Sequence, residues 1–158
     1  VQAEKRCIVT DGDLDLSSVP DDALDILQEE LSRDKTVHKV GLSLAIEDLA
    51  PKAPRTEEIR RWEQRYWQKP IGPIRGVTLY EAPIDTTFAL YDNQRPCSSY
   101  GPALRTGPPY TARHLPWYWT KDSIDEEIRF YLTTILAEKP GGTSWSFRLA
   151  QVLLEEKS

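Results

Sequence analysis

The spacing of apolar residues predicts a strand, a helix and a second strand in the first fifty residues. Residues 5–10 are a β-branched run that stops at an Asp-Gly turn dipeptide. Residues 18–33 begin with the candidate N-cap Ser18 and carry an apolar residue every three or four positions, which predicts an amphipathic helix. Residues 37–49 carry one at every second position from Val40, which predicts a strand with one buried face.

A second helix and two short strands are predicted before residue 93. Prolines interrupt the chain after residue 49, and Thr56 can then cap a helix. Two prolines and two glycines after residue 68 end that helix, and two strand-like runs follow. The apolar face of the helix contains Ile59, Trp62 and Tyr66, and the two strands cover 77–82 and 86–92.

The segment 93–116 is predicted to be a long, mostly irregular loop. Its first eighteen residues contain four prolines and three serines or threonines, a composition that does not support a regular strand. Loops of this length in compact domains are often functional. The sequence therefore marks this segment as a candidate binding region.

Residues 123–154 fit either two helices or a β-hairpin. The helical alternative has a capping box that starts at Ser123 and places Ile128, Leu132 and Ile135 on one face. The hairpin alternative has apolar residues at alternate positions on both sides of a Pro-Gly-Gly turn. Because β-branched and aromatic residues are frequent in both runs, we favour the hairpin.

These elements predict an α+β fold with a mainly antiparallel sheet, two or three helices packed on it, a long Pro-rich loop and a C-terminal β-hairpin. With 158 residues we expect a single globular domain over 1–158, with the loop at 93–116 inside it. The distant pair Cys7 and Cys97 argues against a disulfide scaffold and suits a reducing compartment. Since methionine is absent, even at position 1, we expect a trimmed core or a processed piece that lacks its native N-terminus.

No motif predicts an enzyme. The glycine-rich phosphate loops and the GxSxG elbow are missing, and His38 and His114 have no Cys or Glu at metal-ligand spacing. A catalytic site assembled from distant residues stays open. We expect no catalytic residue, metal or cofactor, although oxygen ligands stand at calcium-loop spacing. They are Asp11, Asp13, Asp15, Ser17 and Asp22, with Leu16 where that loop requires glycine.

The charge of −5 is unevenly distributed along the chain. Residues 1–33 hold nine acids and three bases, whereas residues 51–76 hold seven bases and three acids. Arginines beside aromatic rings in the second helix suit phosphate groups of lipid or RNA, and overall acidity argues against sequence-specific DNA binding. The alternative is a salt-bridged surface helix with a Glu57–Arg61 pair. The candidate phosphate-, membrane- or ribonucleoprotein-binding residues are Lys52, Arg55, Arg60, Arg61, Arg65 and Lys69.

Three consecutive aromatic residues, 117–119, precede a charged run. In an extended segment, Trp117 and Trp119 share one face and Tyr118 takes the other. We expect one face to pack under the sheet and the other to face a neighbouring protein. The candidate self-association or partner-binding residues are Tyr110, Leu115, Pro116, Trp117 and Trp119.

The order of these elements resembles the globular core of rhabdovirus-type matrix proteins. The resemblance covers the run RCIVTDGDLDL, the helix at 18–33, the strand HKVGLSLAIEDL and the helix that carries Trp62 and Tyr66. It resumes at YTARHLPWYW and at the predicted hairpin 126–152, and it is weakest over 70–110. It consists of order and pattern, without a diagnostic motif.

The resemblance implies a non-enzymatic structural protein of the virion. Such proteins self-associate, coat the nucleoprotein–RNA complex, bind the anionic inner face of the membrane and drive budding. It implies a location in the virion, the host cytoplasm and the inner membrane face, with the nucleus as a further location. The family's basic N-terminal arm and late motif have no counterpart here, so the basic helix is the candidate substitute. The alternative function is an accessory module that docks a protein partner through its aromatic Pro-rich loop.

Overall fold

Four α-helices and a seven-stranded sheet make up the computed structural model, which describes residues 6–51, 53–85, 87–94 and 101–155. The strands are β1 Arg6–Val9, β2 Leu14–Asp15, β3 Lys39–Leu44, β4 Pro70–Ile74, β5 Val77–Glu81, β6 Ala89–Asp92 and β7 Ala103–His114. The helices are α1 Ala23–Arg33, α2 Thr56–Gln64, α3 Glu126–Glu138 and α4 Trp145–Leu153, with short 3₁₀ segments at Arg65–Trp67 and Leu115–Tyr118.

The sheet has the strand order β1-β6-β3-β7-β5-β4, and β2 pairs with β7 off this path. Only β3 and β7 run parallel in the part of the chain that the structure describes, and every other pair is antiparallel. The predicted α+β class with a mainly antiparallel sheet is therefore confirmed. The structure has four α-helices where the sequence predicted two or three.

The strand predicted at 37–49 is the centre of the sheet. All six residues of β3 are buried, not only the predicted alternate ones, because strands flank both edges of β3 and neither of its faces is open to solvent. Gly41 fits this crowding, since a Cβ there would lie 2.6 Å from the Phe88 carbonyl oxygen. The buried Lys39 ammonium donates to the Ile84 carbonyl at 2.5 Å and lies 5.1 Å from the Tyr91 ring centre.

The predicted helix at 18–33 begins later than its apolar pattern suggests. Its first helical residue is Ala23, and turns occupy the preceding residues. The candidate cap Ser18 is not used, since the Ser17 amide donates to the Asp15 carboxylate and the Val19 amide to the Leu16 carbonyl. These local bonds satisfy the backbone in a turn before the helix can start.

The predicted loop 93–116 is mostly a strand, so this prediction is wrong for 103–114. Thr106 lies opposite Leu42, and the next paired residue, Thr111, lies opposite Ser43. The Gly-Pro-Pro-Tyr stretch between them leaves the ladder as a bulge, which is how a strand accommodates prolines that cannot donate. Residues 95–100 of the predicted loop lie outside the described residues.

The predicted C-terminal hairpin is wrong, because residues 126–138 and 145–153 are helices. Asp125 caps α3 by accepting from the Ile128 amide at 2.8 Å, and Ser144 caps α4 by accepting from the Phe147 amide at 3.2 Å. The hairpin pattern would bury Phe130 beside Leu132, yet Phe130 is 74% exposed while Leu132 is fully buried. Helical periodicity and two caps outweigh the alternating pattern.

A strand that the sequence did not predict, β4, forms a hairpin with β5. The turn is Arg75-Gly76, where both residues have positive φ, as two-residue hairpin loops require. β4 lies at the edge of the sheet, where its two prolines need not donate to a further strand. The Pro/Gly-rich stretch after residue 68 thus ends the helix and also starts a strand.

Two hydrophobic clusters hold the helices against the sheet. The first core packs α1 on the sheet and consists of buried aliphatic residues, namely Ile26, Leu27, Leu31, Val37, Val40, Ile74, Val77, Leu79, Leu90 and Leu104. The second core gathers α2, α3, α4 and the 3₁₀ segment 115–118 around the end of β3. Its buried members are Leu42, Leu44, Ile46, Leu49, Ile59, Ala112, Trp117, Ile124, Leu132, Leu149, Ala150 and Leu153.

Candidate functional site: an aromatic cleft beside the basic helix

Two of the arginines in the predicted basic helix are held by the protein itself. Arg60 donates to the backbone carbonyls of Ile46 and Leu49, the latter at 2.8 Å, and pairs with Glu57 at 3.3 Å. Arg55 donates to Glu58 at 2.7 Å and to a backbone carbonyl of α4. Both guanidinium groups therefore brace α2 against neighbouring segments.

Arg61 and Arg65 are the arginines of this helix that remain open to a ligand. Both are exposed, and neither has an ion pair within the described part of the chain. The Arg65 guanidinium stacks 3.3 Å from the Trp62 ring centre and 4.8 Å from that of Tyr66, which is a cation–π arrangement. The Glu57–Arg61 pair of the salt-bridged alternative is not formed, since Glu57 pairs with Arg60.

The two ends of the predicted basic set differ from its centre. Lys69 pairs loosely with Glu81 at 3.6 Å, and both side chains are largely exposed. Lys52 lies outside the described residues. The arginines without an ion pair among the described residues thus lie in the second half of α2 and at the start of the 3₁₀ segment that follows it.

The aromatic segment is a 3₁₀ turn and not the extended chain that the sequence suggested. Trp117 is 2% exposed and belongs to the second core, and Pro116 is buried beside it. Trp119 is partly buried against the same core, whereas Leu115 is 41% exposed. Tyr110 is partly exposed, and its hydroxyl donates to the Asp22 carboxylate at 2.9 Å. The residues predicted for self-association therefore do not form one continuous surface.

A cleft of about 950 Å³, here called the aromatic cleft, opens between α2, the 3₁₀ segment and the start of α4. Its rings stand edge to face in a row. Trp62 lies 6.1 Å from Trp145, Trp145 lies 6.1 Å from Trp117, and Trp117 lies 5.0 Å from His114, with interplanar angles of 71 to 84°. Such pairs are favoured by the ring quadrupoles. Tyr66 and Tyr131 complete the aromatic lining.

A buried ion pair closes one side of the aromatic cleft. Arg105 on β7 donates to Glu63 on α2 at 2.9 Å and to the Pro83 carbonyl at 2.8 Å. Burial raises the pKa of Glu63 to about 7, although the Arg105 charge opposes that shift. The same burial lowers the pKa of Arg105. The Tyr66 ring covers the guanidinium at 4.3 Å, so the pair is shielded from solvent.

The opposite side of the aromatic cleft contains an Asp13–His114 pair, with 3.4 Å between Oδ2 and Nε2. The hydrogen bond from His114 lowers the pKa of Asp13, against the effect of partial burial. A histidine oriented by a carboxylate supplies two of the three members of a catalytic triad. However, among the described residues no serine or threonine hydroxyl is bonded to His114 Nδ1, which has no hydrogen-bond partner there.

The acidic turn does not assemble into a cation site. Asp13 faces His114, Asp15 accepts from the Ser17 amide and lies near Arg113, and Asp22 accepts from Tyr110. Within the described ranges, no group of three or more His, Cys, Asp or Glu side chains could hold a metal ion. The residues at calcium-loop spacing instead belong to β2 and to the turn that precedes α1.

Sequence reasoning missed most of the cleft because its residues come from distant elements. Arg105, Tyr131 and Trp145 belong to segments predicted as loop and hairpin, so their side chains could not be placed together. Trp62 and Trp117 were singled out, but separately. One signal was available: Trp145 and Arg148 are three residues apart, which joins them on one face of a helix.

A second exposed feature lies on α3. Phe130 is the most exposed large apolar side chain among the described residues, and Tyr131 beside it is also exposed.

No helix in the described part of the chain is long and apolar enough to cross a membrane. No protein-family model matches this sequence, and neither a curated protein nor a solved structure matches it.

Proposed function

We propose that the chain is a non-enzymatic structural protein of the viral matrix type, which self-associates and links ribonucleoprotein to the membrane during assembly and budding. The observation that carries the proposal is the coexistence, on one small chain, of an exposed apolar ring at Phe130 and an open aromatic cleft. Phe130 and the neighbouring Tyr131 are both exposed, and contiguous exposed apolar surface is typical of sites that another protein covers.

The support from element order is narrower than the sequence suggested. The strand, helix, strand and helix of the first 64 residues stand in the order on which the resemblance rests. The closing hairpin does not contribute, because that segment is α3 and α4. The proposal therefore depends on the N-terminal elements and on the exposed surfaces.

Arg61 and Arg65 are the groups that we assign to polyanion contact. Both are exposed and have no ion pair among the described residues, and Arg65 stacks on Trp62 and donates to the Tyr66 hydroxyl at 2.8 Å. Exposed guanidinium groups beside aromatic rings suit phosphates of RNA or of an anionic inner leaflet. The protein would accordingly be found in the virion, in host cytoplasm and at the inner membrane face. Sequence-specific DNA recognition is not part of the proposal, given the net charge of −5.

Sedimentation velocity tests the proposal directly. The chain is run over roughly a hundredfold concentration range at low and at high salt, because charged contacts weaken as salt screens them. We expect reversible species larger than a monomer that grow with concentration and shrink with salt. A single monomeric boundary at the highest concentration and lowest salt contradicts the proposal. Flotation with phosphatidylserine vesicles, against neutral vesicles as control, tests the membrane contact.

An accessory interaction module is the second candidate function, and the aromatic cleft is the observation that favours it. In that case the chain forms a stable one-to-one complex with a different protein and does not bind vesicles. The informative variant is Trp62→Ala, since Trp62 is 40% exposed at the cleft mouth and its loss spares the core. Loss of partner capture with an unchanged monomer favours this function over self-assembly.

A further inference from the structure

The lining of the aromatic cleft carries more negative than positive charge. Both of its arginines already have a carboxylate partner, since Arg105 pairs with Glu63 and Arg148 pairs with Glu58 outside the lining. Among the described residues, neither Asp13 nor Asp85 has an ion pair with a lysine or arginine. A positively charged ligand therefore suits this lining better than an anionic one. The acidic members are Asp11, Asp13, Glu63 and Asp85.

The aromatic walls of the cleft favour the same sign of charge. The faces of aromatic rings attract cations, and the protein's own guanidinium groups use two of the cleft rings in this way. Arg65 lies 3.3 Å from the Trp62 ring centre, and Arg148 lies 5.4 Å from that of Trp145. Within the described residues no such cation covers Tyr131, which lines the cleft and is 44% exposed. The cleft thus offers an accessible ring in the same lining as its carboxylates.

Arg65 is the charge that opposes a cationic ligand. It is exposed, has no ion pair among the described residues and stacks on Trp62, although it does not belong to the lining. Asp13 and Asp85 belong to the lining and together carry twice the opposite charge. The balance favours a cation, and removal of Arg65 should strengthen its binding.

Three buried polar atoms of the lining have no hydrogen-bond partner in the described structure. Asp13 Oδ1 can accept, the indole N–H of Trp117 can donate, and His114 Nδ1 can do either according to its tautomer. Trp117 is 2% exposed, and polar groups buried to this degree are normally bonded. A basic peptide supplies both N–H donors and carbonyl acceptors, whereas a quaternary ammonium group has no N–H. The unpartnered atoms therefore favour a peptide among cationic ligands.

We propose that the aromatic cleft binds an arginine side chain within a basic peptide segment of a partner protein. The guanidinium lies against the Tyr131 ring near Asp13 and Asp85, and the peptide carbonyls provide acceptors for Trp117. Arginine suits the cleft because its planar guanidinium stacks on rings and donates to carboxylates in a fork. The inference goes beyond the proposed function, since it does not require self-association, and it names the partner chemistry of the second candidate function.

Titration with synthetic peptides, followed by the indole N–H signals of the ¹⁵N-labelled chain, tests this inference. The probe is a short Gly/Ser peptide with two central arginines, and the control peptide carries neutral citrulline in their place. We expect the signals of the lining tryptophans Trp62, Trp117 and Trp145 to shift, and those of Trp67 and Trp119, outside the lining, to stay. The citrulline peptide should bind at least about 10-fold more weakly.

Substitutions in the chain test the charge of the lining. Asp85→Asn should weaken binding of the arginine peptide about 3- to 10-fold, because the exposed Asp85 no longer attracts the guanidinium. Asp122→Asn is the matched control, since it removes the same charge from an exposed position outside the lining and should leave binding unchanged. Arg65→Ala should strengthen peptide binding and weaken RNA binding. Circular dichroism checks that each variant is folded.

The other outcomes overturn the inference or the proposed function separately. Equal weakening by Asp85→Asn and Asp122→Asn, or equal binding of the arginine and citrulline peptides, overturns the proposed site. Shifts of the lining tryptophans with single-stranded RNA and not with the peptide also overturn it, and assign the cleft to nucleic acid. A self-associating chain that ignores the arginine peptide overturns this inference alone. A monomeric chain that binds the peptide overturns only the matrix-type function.

Discussion

The two cores that hold the helices against the sheet are built from different side chains, and the aromatic cleft borders the second of them. The first core consists entirely of buried Ile, Leu and Val residues between α1 and the sheet. The second core contains Trp117 and is bordered by partly buried aromatic residues, and the aromatic cleft opens at its edge. Aliphatic side chains offer no polar atom for recognition, whereas large rings with polar atoms can give specificity at the border of a core.

The chemistry around the two cores differs in the same sense. The second core borders the buried Arg105–Glu63 pair and the Asp13–His114 pair. Buried ion pairs contribute little net stability, because desolvation offsets most of the attraction, but they fix how the surrounding elements sit. These polar groups lie beside the aromatic cleft, whereas on the α1 side the buried Glu30 carboxylate is paired with Arg33.

The largest expected effect is the loss of stability when the side chain of Trp117, a buried member of the second core, is truncated. Trp117→Ala should lower the free energy of unfolding by about 3–5 kcal/mol, because the change leaves a cavity among Leu132, Leu149 and neighbours. Urea unfolding followed by circular dichroism measures it. Leu27→Ala is the matched change in the first core, with an expected loss of about 2–5 kcal/mol.

Trp62→Ala is the control at the cleft mouth, where a partly exposed ring should cost about 1 kcal/mol or less. If Trp117→Ala folds with unchanged stability and loses a partner instead, the segment is a binding surface and the second core is misassigned. Such a result would favour the accessory-module function over the matrix-type one.

The next effect is a pH dependence of stability, which we expect from Glu63 beside the second core. The pKa of Glu63 rises from an ordinary 4.5 to about 7 on folding, so folding takes up a proton between these values. The stability that this group contributes is complete below pH 4.5 and is lost as the pH rises through 7. The free energy of unfolding should fall by up to about 3 kcal/mol from pH 4.5 to pH 8.

Glu63→Gln should remove this pH dependence, since the amide oxygen still accepts from Arg105 but takes up no proton. Glu58→Gln is the matched control, because the Arg55 guanidinium lowers the pKa of Glu58, whose contribution is lost only as the pH falls below 4.5. Unfolding curves at half-unit intervals of pH measure both. A slope between pH 5 and 8 that persists in Glu63→Gln assigns the titration to another group.

The first core was largely predictable from sequence, and the second was not. The helix at 23–33 and the strand at 39–44 carry long, regular apolar patterns, so their periods identify them. The strand β7 was hidden by Pro108 and Pro109, which look like a loop locally but sit in a bulge that the pairing with β3 tolerates.

The C-terminal helices were hidden for the opposite reason. Ile128, Phe130 and Leu132 alternate as in a strand, but the segment is the capped helix α3, and Phe130 lies on its exposed face. That exposed ring is one of the two features on which the proposed function rests. An apolar residue on the exposed face of a helix disturbs the pattern from which the helix is predicted, so the prediction failed at this surface.

The smallest expected effect compares two adjacent arginines and tests which of them serves the fold. Arg60→Ala should lower the free energy of unfolding by about 1–2 kcal/mol, since it leaves the carbonyls of Ile46 and Leu49 without their charged donor. Arg61→Ala should change stability by less than about 0.5 kcal/mol, because Arg61 is exposed and makes no hydrogen bond or ion pair within the described residues. Thermal unfolding measures both values.

Polyanion binding should show the reverse order. Arg61→Ala should weaken binding to single-stranded RNA and reduce the slope of its salt dependence by about one, whereas folded Arg60→Ala should bind as the unaltered chain does. Fluorescence anisotropy over a salt series measures affinity and slope together. Equal weakening by both changes would mean that the whole helix, and not its free C-terminal half, faces the polyanion. No weakening by either would move the contact off α2 and leave its arginines as braces between the second core and the surface.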